Sequence, residues 1–257
     1  MSDNLPIMLT RDGDTAVITL NRPQQFNPID IETMQVLHQV LLDVEADAGV
    51  RAVVLKGSGN AFCGGGDIRA MRDNLNDLPR FIGEIVDAFH RVILALRRLP
   101  MPVIAAVHGS AAGGGFSLAM ACDLVVATAA TRFVVAYPQL ATSTDGGLSF
   151  FLTRRLGTAR ALDLLLLRNM LNAAEAAEWG LVNRVVDNDK LEQEALALAA
   201  QLAKLPAHSV REIKALVAGL GDAGLAEQLA AERAGFLRSC REPLFAERVV
   251  AFLDKKK

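Results

Sequence analysis

The sequence predicts an α/β fold that ends in a helical C-terminal region, and two observations support this fold class. First, short runs rich in β-branched residues alternate with runs whose apolar residues recur at helical spacing, which is typical of β-α-β units. Second, the strand-like runs stop near residue 191, after which alanine, leucine, glutamate and lysine recur at helical period. We therefore predict an α/β core over residues 1–190 and a helical region over residues 191–257.

The predicted strands are runs of β-branched and apolar residues bounded by turn residues. They lie at residues 15–20, 51–56, 103–107, 124–127 and 133–136. The predicted helices have apolar residues every three or four positions, and Asp30 and Asp67 are expected to cap two of them. They lie at residues 31–44, directly after Asp67, at 80–99 and at 115–121.

Two glycine-rich turns, about fifty residues apart, each lie between a strand-like run and a helix-like run. The first contains Gly64, Gly65 and Gly66, and the second contains glycines at 113–115. Glycines let the backbone approach a ligand closely, and the start of a helix leaves N–H groups unpaired and partly positive. Two such turns can aim two N–H groups at one oxygen. The pattern therefore indicates chemistry on a carbonyl group, with the N–H groups stabilising an oxyanion.

The composition excludes several other classes of protein. A formal net charge of −2 gives no reason to expect nucleic acid or a membrane as a partner. Cys63, Cys122 and Cys240 have no metal-type spacing, so we expect reduced thiols, no metal and a cytoplasmic location. The N-terminus lacks the pattern of a signal peptide, and the long apolar stretch at 103–130 is interrupted by His108, glycines and an aspartate.

The glycine turns occur together with several short motifs, namely Asn21-Arg22-Pro23, Cys122-Asp123, 172–176 and 179–183. In this order and spacing they resemble the crotonase (enoyl-CoA hydratase/isomerase) superfamily over essentially the whole chain. The resemblance implies a core of spiralling β-β-α turns and a C-terminal helical region that serves trimerisation and covers the active site. It also implies acyl-CoA thioester substrates, trimers or dimers of trimers, and no cofactor apart from the coenzyme A carried by the substrate.

The resemblance also assigns roles to individual positions. The oxyanion hole maps to the backbone N–H groups of Gly66 and Gly114, both of which precede helix starts. Arg22 or the C-terminal lysines are candidates for binding the coenzyme A phosphates. The predicted substrate-binding positions are Gln25, Phe26, Ala61, Gly64, Asp67, Ile68, His90 and Tyr137.

The chain departs from the family pattern where hydratases carry two glutamates as acid and base. The corresponding residues are Ser117 and Tyr137, and neither serves as a base at neutral pH without a large pKa shift. Hydration by the two-glutamate route is therefore disfavoured. Asp145 supplies a carboxylate nearby, where hydratases usually carry a small residue. Members with aspartate here resemble isomerases related to phenylacetate degradation, or aryl-CoA dehalogenases in which the aspartate is a nucleophile.

Asp145 and His90 leave alternatives open. Asp145 precedes two glycines and could simply cap the helix that follows. In dehalogenase-like members a histidine at the offset of His90 activates water, but His90 also has helical spacing with Phe89 and Ile93, and we favour this structural interpretation.

The preferred prediction is an acyl-CoA isomerase of fatty acid or aromatic acid metabolism, in which Asp145 shuttles a proton between carbons. The first alternative is an acyl-CoA hydrolase with Asp145 as nucleophile and His90 as base. The second is a non-catalytic or RNA-associated member of the family, against which the intact glycine turns and the lack of a basic face argue.

Overall fold

The computed structural model describes residues 5–219 and 224–254. Contacts divide the chain into one unit that ends at residue 203 and a second that begins at residue 204. The strands of the first unit are β1 (Ile7–Asp12), β2 (Thr15–Leu20), β3 (Ala52–Gly57), β4 (Val103–Val107), β5 (Ser110–Ala112), β6 (Leu124–Thr128), β7 (Arg132–Val134), β8 (Met170–Asn172) and β9 (Arg184–Val186). Its helices are α1 (Ile31–Ala46), α2 (Ile68–Asp73), α3 (Leu78–Arg98), α4 (Gly114–Ala121), α5 (Leu148–Leu156), α6 (Thr158–Leu162), α7 (Ala173–Glu178) and α8 (Leu191–Ala203). A π-helical segment, Asp163–Arg168, follows α6.

The strands form a six-stranded sheet in the order β1-β2-β3-β4-β6-β9 and a three-stranded sheet in the order β5-β7-β8. The pairs from β2 to β9 in the large sheet are parallel, and β1 pairs antiparallel with β2. In the small sheet β5 and β7 are parallel, and β7 and β8 are antiparallel. The predicted α/β class is therefore confirmed.

The chain repeatedly passes from the large sheet to the small sheet and then into a helix. β4, β5 and α4 follow this order, and so do β6, β7 and α5. After β3, an isolated parallel bridge from Cys63 to Ala111 extends the small sheet before α2 begins. These three successive β-β-α turns are the spiral that the family resemblance implies. Both glycine turns and Asp145 consequently lie at the same stage of successive turns, after the small sheet and before a helix.

The central strands β2, β3, β4 and β6 of the large sheet are buried on both faces, which explains why they are nearly continuous apolar runs. Val53 and Leu55 of β3 belong to the main core, together with side chains of α1 and α3. Val54 and Ile104 belong to a second core formed with α8. The predicted helical region thus begins with a helix that packs on the sheet of the first unit.

Most predicted elements are confirmed within one or two residues of their ends. The predicted caps are also confirmed, because Asp30 accepts a hydrogen bond from the Thr33 N–H and Asp67 accepts from the Arg69 and Ala70 N–H groups. β1 is not among the predicted strands, because its three apolar residues are consecutive and three polar residues follow them, which gives neither alternation nor a long apolar run.

The second unit contains α9 (Ala207–Gly219), α10 (Leu225–Cys240) and α11 (Pro243–Asp254). Within it the buried Glu212 carboxylate accepts hydrogen bonds of 3.1 and 2.7 Å from the Arg238 guanidinium. Its roles in assembly and in covering the active site stay predictions, as does the division at residue 190. Among the described residues, no helix combines the length and apolar character needed to cross a membrane.

Candidate active site

The two glycine turns lie directly against each other. The Cys63 N–H donates to the Ser110 carbonyl (3.1 Å), and the Ala112 N–H donates to the Cys63 carbonyl (3.0 Å). Gly65 has a φ of +91°, and a Cβ atom on it would lie 2.7 Å from the Ala112 oxygen and 3.5 Å from the Gly114 nitrogen. Any side chain at Gly65 would therefore push the turns apart, which is the physical reason for glycine here.

The backbone N–H groups of Gly66 and Gly114 have no protein acceptor within residues 5–219 and 224–254. Gly114 is the first residue of α4, so its N–H has no intrahelical partner. Neighbouring groups are engaged, since the Gly65 carbonyl accepts from the Ile29 N–H (2.8 Å) and the Gly113 carbonyl accepts from the Ser117 N–H (3.1 Å). The arrangement provides the two unpaired donors that the predicted oxyanion hole requires.

Asp145 belongs to a cluster of three hydrogen-bonded side chains. The Tyr137 hydroxyl donates to Asp145 Oδ1, and the Ser117 Oγ lies 3.1 Å from the Tyr137 oxygen and 3.0 Å from the Asp145 backbone oxygen. Ser117 is completely buried and Tyr137 is 8% exposed. The two residues that replace the hydratase glutamates therefore contact each other and the one carboxylate of the cluster.

Tyr137 is held in its protonated form. Burial raises the pKa of its hydroxyl far above the ordinary value, and the nearby Asp145 charge and the hydrogen bond to Asp145 raise the pKa further. A tyrosine in this state donates a hydrogen bond at neutral pH and does not act as a base. Asp145 is consequently the member of the cluster that can accept a proton from a substrate.

The interpretation of Asp145 as a helix cap is wrong. The N-cap residue of α5 is Gly147, and no side chain caps this helix. Asp145 contributes only its backbone carbonyl, which accepts from the Leu148 N–H at 3.1 Å. Its carboxylate turns instead to Tyr137. This geometry removes the structural explanation for an aspartate at this position.

The Phe89 ring lies between the second glycine turn and the loop at residues 141–147 that contains Asp145, called the Asp145 loop below. A Cβ atom on Gly114 would lie 3.4 Å from Phe89 Cε1, and one on Gly146 would lie 2.2 Å from the same atom. Gly146 also has a φ of +56°. Both backbones therefore approach one buried ring, so the Gly114 N–H and the loop that carries the candidate base lie in the same region.

His90 lies on α3 beside this loop. The packing predicted from its helical spacing with Phe89 and Ile93 is not seen, because His90 is exposed whereas the other two are buried. Its Nε2 accepts a hydrogen bond from the Gly146 N–H at 3.3 Å. A periodicity argument could not find this contact, because Gly146 is distant in sequence.

The segment after Asn21-Arg22-Pro23 lies against the first glycine turn. The Gly64 N–H donates to the Phe26 carbonyl (2.8 Å), and the Asn27 side-chain amide donates to the Ala61 carbonyl (2.9 Å). Phe26 has a φ of +59° and a side chain that is 58% exposed. Asn27 was not among the predicted site residues, and nothing in its sequence context marks it. Its side-chain amide donates to the carbonyls of Ser58, Ala61 and Phe62, which holds the backbone at the predicted substrate-binding residue Ala61.

The remaining predicted substrate-binding side chains have simpler surroundings. Gln25 and Ile68 are both exposed; Ile68 follows the first glycine turn in sequence, and Gln25 directly precedes Phe26. The Asp67 side chain is engaged in capping α2. Arg22, a candidate for a coenzyme A phosphate, forms an ion pair with Asp30. The other candidates, the lysines at 255–257, lie outside the described residues.

The cysteines and metal-type residues add no chemistry to this region. Burial raises the pKa of the Cys63 thiol to about 12, so it does not supply a thiolate nucleophile at neutral pH. Cys122 is buried in the core, as predicted. Within the described parts of the chain, no three His, Cys, Asp or Glu side chains are grouped in a way that could hold a metal ion.

Comparisons with protein families, with individual proteins and with solved structures all identify the same family. The sequence matches the enoyl-CoA hydratase/isomerase family over residues 10–257. It is 36% identical over 240 residues to the 1,2-epoxyphenylacetyl-CoA isomerase of Escherichia coli (strain K12), covering 93% of this chain and 92% of that protein. It is 32% identical over 250 residues to the 4-chlorobenzoyl coenzyme A dehalogenase-2 of an Arthrobacter species, covering 95% and 89%. The fold superposes on the crystal structure of an enoyl-CoA hydratase from Polaromonas sp. JS666 with a TM-score of 0.93, at 36% identity and over 97% of both chains.

Proposed function

Because the chain belongs to the enoyl-CoA hydratase/isomerase family, we propose that it isomerises an enoyl-CoA or related acyl-CoA thioester with Asp145 as the proton shuttle. The observation that carries this proposal is the Asp145 carboxylate, which is bonded to Tyr137 and lies near the paired glycine turns. The similarity to an isomerase of epoxyphenylacetyl-CoA supports the same direction.

The proposed reaction needs one base and one oxyanion site. The N–H groups of Gly66 and Gly114 bind the thioester oxygen and stabilise the enolate, and loss of one such donor typically costs about 10²–10³-fold in rate. Asp145 takes a proton from one carbon, the C–H electron pair moves into the conjugated enolate, and the same proton returns to another carbon. The carboxylate is regenerated, so no oxidant, water or second acid is required.

Hydration is disfavoured by the same residues. A two-glutamate hydratase adds water with one carboxylate as the base and another as the acid. In this chain the corresponding residues, Ser117 and Tyr137, have hydroxyl groups that form hydrogen bonds to Asp145. The raised pKa of Tyr137 prevents it from replacing a carboxylate base.

The test is turnover of a panel of enoyl-CoAs in H₂¹⁸O, with products identified by mass. Isomerisation leaves the mass unchanged, hydration adds one water, and hydrolytic substitution introduces ¹⁸O while a group leaves. Asp145→Asn should abolish isomerisation and preserve acyl-CoA binding, because the amide matches the shape of the carboxylate but does not accept the proton. Asp87→Asn, on the exposed surface of α3, is the matched control. Isomerase activity that survives in Asp145→Asn would refute the mechanism.

A second candidate is hydrolysis with Asp145 as nucleophile and His90 as base. Two observations favour this candidate: the contact between His90 and Gly146, and the similarity to a chlorobenzoyl-CoA dehalogenase. If Asp145 attacks, rapid quenching traps an acyl or aryl adduct on its peptide, and His90→Ala makes the adduct accumulate. If Asp145 is a proton shuttle, no adduct forms and His90→Ala has a modest effect.

The proposal includes the wider expectations of the family resemblance. We expect a homotrimer or a dimer of trimers in the cytoplasm, with the region 191–257 in the subunit contacts and coenzyme A brought only by the substrate. Sedimentation of the purified protein tests the assembly state.

A further inference from the structure

The Ser117 hydroxyl lies between the second glycine turn and the Asp145 loop and contacts both. Its Oγ lies 3.4 Å from the Gly113 carbonyl, 3.1 Å from the Tyr137 hydroxyl and 3.0 Å from the Asp145 carbonyl. Gly113 directly precedes α4, whereas Tyr137 and Asp145 both lie in the segment between β7 and α5. One buried side chain therefore ties together the backbone that carries Gly114 and the loop that carries the carboxylate.

The protons in this cluster can be assigned by counting donors. Tyr137 has one hydroxyl proton, which it gives to Asp145 Oδ1, because an ionised carboxylate only accepts. Because the Tyr137 proton is used in this bond, Ser117 is the donor in the contact between the two hydroxyls. The backbone carbonyl of Asp145 is a second acceptor within reach of the same Ser117 proton. Asp145 Oδ1 is thus occupied, and Oδ2 is left for the proton of a substrate.

We infer that Tyr137 is a positioning residue for Asp145, which fixes Oδ1 and leaves Oδ2 as the proton-carrying atom, with Ser117 fixing the Tyr137 hydroxyl. This inference rests on the proposed function for its effect on rate, whereas the pairing itself does not depend on which reaction is catalysed. Ser117 and Tyr137, which stand at the positions of the two hydratase glutamates, thereby acquire a positioning role.

Two titratable groups face the Asp145 loop. Tyr137, between β7 and α5, bonds the carboxylate, and His90 of α3 meets the backbone N–H of Gly146 rather than the carboxylate. In the described parts of the chain, no lysine or arginine forms an ion pair with Asp145. Removal of the Tyr137 hydroxyl therefore leaves the carboxylate without a side-chain donor.

The pairing can be measured without substrate, because Tyr137 is the only tyrosine of the 257 residues. Protein grown with 3-fluorotyrosine carries one fluorinated ring, so its ¹⁹F spectrum has one tyrosine signal. At neutral pH this signal should shift in Asp145→Asn, where a neutral amide replaces the ionised acceptor, and also in Ser117→Ala. It should stay in place in the control Asp87→Asn. A signal that does not move in Asp145→Asn overturns the inference.

The effect on rate is tested with Tyr137→Phe, which keeps the ring and removes only the hydroxyl. We expect kcat to fall by about tenfold or more, since misplaced catalytic groups cost rate, while KM stays close to that of the wild type. Ser117→Ala should lower kcat less, again without a change in KM. Thr131→Val is the matched control, because it removes a buried hydroxyl that bonds Thr128 and the Val107 carbonyl outside this cluster.

A graded series separates positioning from simple packing. Fluorotyrosine and difluorotyrosine make the hydroxyl a stronger donor with little change in shape. The hydrogen bond from Tyr137 then stabilises the charged Asp145 carboxylate more in the ground state than in the transition state, where that charge is passing to the substrate. We expect kcat to fall step by step with each fluorine while KM is constant. A kcat that is independent of fluorine number, or a Tyr137→Phe effect confined to KM, overturns the inference. If the wild type shows no isomerase turnover, the proposed function fails, and the pairing is judged by the ¹⁹F shift alone.

Discussion

Replacement of Gly114 by proline tests whether its N–H binds the substrate oxygen, because proline lacks this hydrogen. Position 114 is the first residue of α4, where proline is favoured in helices. The preceding residue is Gly113, with φ 51° and ψ −119°, a conformation open to glycine. The backbone therefore accepts proline, and the steric cost comes from the added side-chain atoms.

The structure identifies that steric cost. A Cβ atom on Gly114 would lie 2.5 Å from Ile29 Cδ1, and the next atom, Phe89 Cε1, is 3.4 Å away. Ile29→Val removes Cδ1 and costs about 0.5–1.5 kcal/mol of folding stability. We therefore compare two double variants in the Ile29→Val background, Gly114→Ala and Gly114→Pro. Both add a Cβ, but only alanine retains the N–H.

The expected difference in kcat is about 10²–10³-fold, or about 3–4 kcal/mol of transition-state stabilisation, which is the usual cost of losing one oxyanion donor. The assay is steady-state isomerisation of the best substrate from the enoyl-CoA panel, with circular dichroism melting curves to show that both variants fold. The alanine variant should remain close to the Ile29→Val parent. Equal turnover of folded alanine and proline variants would refute the assignment of this N–H group.

Two further predictions follow from the same geometry. Crotonyl-CoA hydration should be slower than in a two-glutamate enzyme by orders of magnitude, since each acid–base group typically contributes about 10²–10⁴-fold, and Ser117 and Tyr137 supply neither carboxylate. Loss of the enoyl absorbance measures it, and fast hydration would place the acid–base pair elsewhere. Gly65→Ala should destabilise the protein more than Gly157→Ala does. Both glycines have positive φ, but only at Gly65 does the new Cβ meet backbone, at 2.7 Å, whereas nothing lies within 4 Å at Gly157. Urea denaturation compares them, and equal losses would show that the contact between the turns is not tight.

The elements of the core were predictable because each is a local pattern. The strand at 103–107 matches β4 residue for residue, since five consecutive apolar residues between prolines and a glycine turn favour a buried strand. The three-residue strands β5, β8 and β9 escaped prediction. They are too short to show periodicity, and only their pairing with distant strands identifies them.

The candidate site was predictable as a set of residue types but not as a set of contacts. Gly66, Gly114 and Asp145 were identified from motifs, and Ser117 and Tyr137 from their departure from the family pattern. Which oxygen of Asp145 is bonded, and by which hydroxyl, depends on side-chain positions that no spacing encodes. The exposure of a histidine on α3 and its contact with the Asp145 loop were likewise hidden from helical periodicity.

The sequence by itself therefore determined the α/β class, the glycine turns and the loss of both hydratase glutamates, because these are properties of residue identity and local order. Only the tertiary structure decided that Asp145 does not cap α5 and that its carboxylate meets Tyr137. The reason is the spiral, in which successive turns place the two glycine turns and the Asp145 loop at the same stage of the fold. Groups that are tens of residues apart then come within hydrogen-bonding distance, and the contacts that set their chemistry arise between turns rather than within them.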